Sequence, residues 1–358
     1  MDANAREKSN FEIGQENTQP AELVASIGAD QRFDDADGGA HREASIRFEG
    51  RAGEYFRIWI VNLLLTVITL GIYSAWAKVR KKRYFYGNTL LEGSSFVYLG
   101  DPIAILKGRA LIVGVLLLLT LIARWVQFDF TPIVFLIALP FVLVKAMRFN
   151  NANSAYRNVR FSFEPGPKGY FKAFKALVLP ALAAMLTLGT MYPYFAYKRW
   201  CFLVQNSRYG TTYFTTSVTL RSYFGAYFKA SLLFVVFLIG SVVTLGIGAL
   251  PLYILFASYR DAAIARLNWS QTHLGQIQLH CNWKVWSLFK LHLGNSLAVI
   301  FTLGLLAPWA LIRTTKYQLE GLSVKPADAI DEFTASALST GSAMGEEAGE
   351  FLGMDLGL

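Results

Sequence analysis

His273, His280, Cys281 and His292 are the residue types that hold zinc or a redox metal. Their spacing fits no zinc pattern, and His280 and Cys281, being adjacent, would face opposite sides of a strand. A metal site is therefore not expected. Gly166-Pro-Lys-Gly lacks the spacing and the hydroxyl of a phosphate-binding loop, and no Gly-x-Ser-x-Gly nucleophile elbow occurs. Arg124 and Asp129 are read either as an ion relay or as a turn closed by a local pair, the latter being the simpler reading. The sequence predicts a chain that is not an enzyme and carries no cofactor.

The best functional candidates are polar residues that return at fixed offsets. Counted from Gly71, Arg80 lies at +9, Tyr84 at +13, Asn88 at +17 and Phe96 at +25. Gly189 gives Lys198, Phe202, Asn206 and Phe214 at the same offsets, and Leu136 gives Lys145, Phe149, Asn153 and Phe161. Gly304 repeats the first half with Arg313 and Tyr317, whereas the copy at Thr244-Leu245-Gly246 has no cation at +9. One supersecondary unit of about 58 residues thus recurs five times. Arg80, Lys145, Lys198 and Arg313 are candidate contacts for an anion or a lipid headgroup, because charges near spans face a cavity, pair, or snorkel to the interface. Asn88, Asn153 and Asn206 are repeated polar positions that either join such a site or cap helix ends. Asn62 stands mid-run, outside any shared offset, where it can bond between helices.

The elements that position these residues lie in a bilayer. The chain is 54% apolar and 16% charged, against about a quarter charged in soluble domains. Long uncharged runs cover 58–77, 176–197, 230–259 and 291–312, with shorter ones at 110–123 and 130–144. A crossing needs about 20 apolar residues, so 230–259 is expected to bend into two. Charge is partitioned: 46–324 holds 29 bases and 8 acids, whereas 1–45 and 325–358 are acidic. The cations flank apolar runs, which points to the bilayer and its anionic phospholipid headgroups as partner and not to nucleic acid. The domain reading is a disordered acidic tail at 1–45, a repeated transmembrane domain at 46–324 and a second disordered acidic tail at 325–358.

Each copy opens with a short strand-like stretch, at 46–49, 95–98, 159–163, 216–220 and 276–279. An aromatic and cationic entry follows, then an apolar helix, a glycine break, and a second helix with Pro140, Pro193, Pro251 or Pro308 near its first turn. Cations flank both ends of the runs, which favours a hairpin with its glycine at the far side and both ends cytoplasmic. A 20-residue run folded in half gives legs of only about 15 Å, so re-entrant legs, or one crossing followed by an interfacial helix at 72–88, stay open. The copy at 101–160 is the clearest hairpin, turning at 127–129.

The stretch 54–80, EYFRIWIVNLLLTVITLGIYSAWAKVR, followed by RYFYGNT from Arg83, resembles the YjgN-like bacterial inner-membrane proteins over roughly 46–324. The resemblance implies a multi-pass protein of the bacterial cytoplasmic membrane and supplies no activity, since that family has none assigned. The expected fold is an all-α integral membrane protein: a polytopic helical bundle of about five repeated helix–Gly–helix units, six to ten crossings, with short strand-like cytoplasmic connections. Two functions remain: transport or handling of an anionic solute or lipid, and a membrane scaffold or assembly factor acting through cytoplasmic loops and tails.

Overall fold

A computed structural model describes residues 42–327 and Ile330. Both predicted tails lie outside the described residues, apart from their inner edges. Those edges are structured: the first strand, β1, starts at Ala44, and the last, β10, ends at Lys325.

The chain is not all-α. Among the described residues, ten short antiparallel strands close into a barrel. They are β1 (Ala44–Phe48), β2 (Thr89–Leu91), β3 (Ser94–Tyr98), β4 (Ser154–Tyr156), β5 (Val159–Phe163), β6 (Ser207–Tyr209), β7 (Thr212–Thr216), β8 (Thr272–Leu274), β9 (Ile277–Cys281) and β10 (Leu322–Lys325). The fourth strand-like stretch therefore sits at Thr212–Thr216, ahead of the 216–220 segment expected from sequence. The strands form a meander in which tight turns alternate with helical hairpins. Hairpin 1 joins β1 to β2 through α1 (Ala52–Ile68) and α2 (Ser74–Gly87). Hairpin 2 is α3 (Pro102–Val126) and α4 (Thr131–Ala152). In hairpin 3, α5 (Gly169–Leu186) contains a π-helical turn at Phe174–Val178 and is followed by α6 (Tyr192–Asn206). Hairpin 4 is α7 (Leu220–Val243) and α8 (Ala249–Trp269), and hairpin 5 is α9 (Val285–Phe301) and α10 (Ala307–Glu320).

Antiparallel pairing fixes the geometry. Each helical hairpin links two paired strands, so all five leave from one end of the barrel, and the tight turns occupy the other. The turn Arg157-Asn158 shows the local cause: both residues have positive φ, 45° and 65°, which suits a two-residue turn to the twist of its strands. The ring closes where β10 pairs with β1 (Ala44↔Val324) and α10 packs beside α1.

Inward positions alternate along each strand. The residues at +25, Phe96, Phe161 and Phe214, lie mid-strand and face Tyr156, Tyr209 and Leu274 across the pairings. Phe96 stacks on Tyr156 at 4.7 Å, and Phe161 lies 4.9 Å from Tyr209. The Tyr156 hydroxyl donates to the Leu91 carbonyl (2.7 Å) and that of Tyr209 to the Tyr156 carbonyl (3.0 Å). Buried polar tips are thereby satisfied. Ala327 and Ile330 pack on the same cluster, so the lumen is filled by side chains.

The hairpins differ in length. The outgoing legs α1 and α9 have 17 residues each and α5 has 18, whereas α3 has 25 and α7 has 24. Two extra turns add about 10–12 Å at 1.5 Å per residue. In the second copy the chain reverses at Gln127 (φ 58°), within the 127–129 turn expected from sequence, and Leu136, the start of the offset count, lies inside α4. Pro140 is consequently internal to α4, which corrects the expectation that it stands near a first turn. In the fourth, the break falls between Val243 and Ala249, at the Thr244-Leu245-Gly246 phrase.

Candidate functional site

The Thr-Leu-Gly phrase builds one turn four times among the described residues. At the first tip the Gly71 amide donates to the Thr66 carbonyl (2.8 Å) and the Leu70 amide to that of Val67 (3.1 Å), the Schellman pattern. The Thr69 hydroxyl donates back to the Leu65 carbonyl (2.7 Å) and accepts the Tyr73 amide (2.9 Å), tying the two helices together. Thr187, Thr244 and Thr302 do the same with Met191, Gly248 and Leu306. The left-handed position, normally glycine or asparagine, is held by Leu70, Leu188, Leu245 and Leu303, with φ 49–51°. Each is 91–96% exposed. A β-carbon there costs about 1 kcal/mol or more, and an exposed leucine gains nothing from water. Both facts suit a tip immersed in hydrocarbon. Tip 2 differs: Gln127 donates to the Arg124 carbonyl (2.9 Å), and Asp129 accepts the Thr131 amide (2.9 Å). Asp129 therefore caps α4, and the described ion pairs do not join it to Arg124.

Four of the described helices are long and apolar enough to cross a membrane: Pro102–Val126, Thr131–Ala152, Gly169–Leu186 and Leu220–Val243. Their outward faces carry exposed leucine, isoleucine, valine and phenylalanine along most of their length.

The four +9 cations sit on four different returning helices, and the fold does not bring them together. Arg80, Lys145 and Arg313 are exposed and Lys198 is half-buried. Lys198 lies over Tyr194 (5.6 Å), and Arg313 lies over Trp309 (5.2 Å). Cations held against aromatic rings are the interfacial pairing of a headgroup belt. The asparagines end helices. The Nδ2 groups of Asn88, Asn153 and Asn206 donate to the carbonyls of Tyr84, Phe149 and Phe202 at 2.5–2.8 Å. Their own carbonyls accept the amides of Glu49, Leu99 and Glu164, just past the preceding strand. The helix-to-barrel joint is thus one stitch, which Gln271 and Gly321 complete through Ser217 and Asn282.

Other polar features were invisible in the offsets or misjudged. Asn62 does share its place, since Asn295 stands the same nine residues ahead of its tip glycine. Asn295 donates to the Ala310 carbonyl (3.2 Å) and the Thr314 hydroxyl (2.9 Å), and the buried Oδ1 atoms of Asn62 and Asn295 alike have no hydrogen-bond partner among the described residues. His280 is exposed and Cys281 buried on successive positions of β9, and His292 lies 3.3 Å from the Ser258 hydroxyl. A groove of about 1000 Å³ between the feet of hairpins 5 and 1 is lined by Arg47, Arg51, Lys316, Glu49, Glu54 and Glu320, among others. Its cations and carboxylates balance, so it has no preference for an anion. At the barrel seam, Glu43 accepts from Lys325 (2.6 Å) and from the Ser323 hydroxyl, which hold its carboxyl below the ordinary range.

Among known proteins, the family described as "Bacterial protein of unknown function (DUF898)" matches residues 43–351, well past the 46–324 segment that carries the resemblance in sequence. The chain is similar to inner membrane protein YjgN of Salmonella typhimurium, 36% identical over 151 residues, and to that of Escherichia coli K12, 32% identical over 151 residues. These matches cover 39% and 41% of the chain and 37% of each relative, little more than a third of the relatives' length. No solved structure matches the chain.

Proposed function

The chain belongs to the bacterial DUF898 family, and on that premise we propose that it is a non-catalytic inner-membrane protein that gathers anionic phospholipid around five hairpins inserted from the cytoplasmic side. The observation that carries this reading is topological. All five hairpins leave one end of a closed barrel, cations flank both legs near that end, and four tips are apolar. Cation excess on the barrel side supports a cytoplasmic barrel by the positive-inside rule. The five strand–helix–helix–strand units are copies of one element, and Arg80, Lys145, Lys198 and Arg313 are its headgroup contacts. Axial passage of a solute is the weaker reading, because aromatic side chains fill the lumen. A scaffold role has one specific support: Val97 and Tyr213 are exposed on the outer face of the barrel, where a protein partner would dock.

The test is reconstitution of the full chain in phosphatidylcholine vesicles containing spin-labelled phosphatidylglycerol or phosphatidylcholine. The protein should immobilise the anionic label preferentially, and replacing all four cations by glutamine should reduce that preference. Equal immobilisation of both labels by the unaltered protein refutes the reading.

A further inference from the structure

Hairpins 1 and 2 meet along a seam whose cations have no carboxylate to answer them. On α2, Ser74, Lys78, Lys82 and Tyr86 fall at four-residue intervals and so share one stripe. Three of the four touch hairpin 2 or its flanking strands. The Arg109 guanidinium of α3 donates to the Ser74 hydroxyl. Lys82 donates to Asn150 Oδ1 (2.7 Å) at the end of α4 and lies 4.5 Å from the centre of the Tyr98 ring. Tyr86 accepts from Ser154 (3.2 Å). Lys78, between Ser74 and Lys82, faces the same seam, is exposed, and has no hydrogen-bond or ion-pair partner among the described residues. The described ion pairs involve none of Lys78, Lys82 and Arg109. Asp101, at the start of α3, is occupied capping the amides of Ile103 and Ala104.

The seam is also built for acyl chains. Hairpin 1 stops about two turns short of hairpin 2, and the face of α3 that carries Arg109 runs on towards the longer tip with Ile112, Val113 and Leu116 exposed. Ile72 is exposed at the tip beside it. A column of cations along α2, met by Arg109 near the tip of hairpin 1 and continuous with bare aliphatic surface on α3, matches a molecule with an anionic head and hydrocarbon tails.

Building on the lipid reading above, we propose that the seam between hairpins 1 and 2 is a discrete binding site for one anionic phospholipid, its phosphate held by Lys78 and Arg109 and its acyl chains laid along α3 past the tip of hairpin 1. Lys82 is a positioning residue: its bond to Asn150 and its contact with Tyr98 hold α2 against hairpin 2, and its charge adds to the attraction.

The experiment is native mass spectrometry of the full chain, exchanged into micelles containing phosphatidylglycerol, with Lys78→Gln, Arg109→Gln and the double variant. Each single loss of a charge-assisted bond should weaken retention of the bound lipid about tenfold or more, and Lys78→Arg should restore it. Lys229→Gln, an exposed cation on α7 of hairpin 4, serves as the control and should leave that one lipid in place. Circular dichroism confirms that each variant is folded, and an unfolded Arg109→Gln leaves Lys78→Gln to decide. A stoichiometric lipid unaffected by Lys78→Gln overturns the site, while the vesicle selectivity assay still reports on the general lipid reading. Displacement by inorganic phosphate, with phosphatidylcholine retained as well as phosphatidylglycerol, overturns the lipid as occupant.

Discussion

Replacing a tip leucine by aspartate measures how deep each hairpin sits. Leu70 lies eight residues from Lys78 along the returning helix, about 12 Å at 1.5 Å per residue, against a half-thickness of about 15 Å for the hydrocarbon core. Tips 1, 3 and 5 should therefore end near the bilayer midplane, where an aspartate costs about 3 kcal/mol relative to an apolar residue. Aspartate is better tolerated than leucine in the left-handed region, which returns about 0.5–1 kcal/mol. The net cost is about 2–3 kcal/mol, or about 30- to 150-fold in the unfolding equilibrium. Gln127→Asp is the matched control: it has the same left-handed backbone, at φ 58°, on a tip that already carries Asp129 and should emerge on the far side. It should change stability by less than about 0.5 kcal/mol. Leu245→Asp should fall between, because α7 reaches two turns further than α1. Equilibrium unfolding of the full chain in phosphatidylglycerol–phosphatidylcholine vesicles, followed by tryptophan fluorescence, gives the ranking. If Leu70→Asp, Leu188→Asp and Leu303→Asp cost no more than Gln127→Asp, the tips lie in water and the half-bilayer placement is wrong.

The barrel seam should be sensitive to acid. The Glu43 carboxyl is held below its ordinary value of 4.5 chiefly by Lys325 and then by Ser323, so its contribution is full above that value and fades as pH falls through the folded one. Glu43→Gln should flatten the acid limb of stability, and an unchanged limb refutes the assignment. Both side chains bury an unpartnered oxygen, but only Asn295 also donates to α10, so Asn62→Leu should be neutral or stabilising by about 1 kcal/mol, whereas Asn295→Leu should cost about 1 kcal/mol more than Asn62→Leu. Thermal unfolding in one detergent compares the pair. Asn88→Ala, Asn153→Ala and Asn206→Ala should each cost about 1 kcal/mol without altering lipid selectivity, since each side chain bonds its own helix end.

Much of this was legible because the offsets are counted from positions the barrel fixes. Asn88, Asn153 and Asn206 recur because a helix must end there and stitch to a strand, and Phe96, Phe161 and Phe214 recur because each fills the same place in the lumen. Closure of the barrel was not legible. Its returning strands, such as Thr89–Leu91 and Ser154–Tyr156, have three residues, too few to show a two-residue period. The lengthened hairpins separate the start of the count from the turn. Leu136 and Lys145 keep their distance to the barrel, but the turn has moved outward to Gln127. The contact of Arg109 with Ser74 joins residues 35 apart through two helices whose packing no local pattern records. Asn62 passed as solitary because its counterpart Asn295 lies ahead of the break, on the leg from which no offsets were counted.

The closure between β1 and β10 has a consequence for biosynthesis. Ser323 bonds Glu43 across 280 residues, whereas the remaining strand pairs join neighbours along the chain. At about 5–20 residues per second, a ribosome delivers the last strand roughly 15–55 seconds after the first. Each hairpin can enter the bilayer as it emerges, but the first strand waits through the whole interval with one edge unpaired. The nascent protein is thus an open sheet on the membrane surface until β10 emerges, and a stall before Leu322 would leave the β1 edge free to take a strand from a second nascent copy.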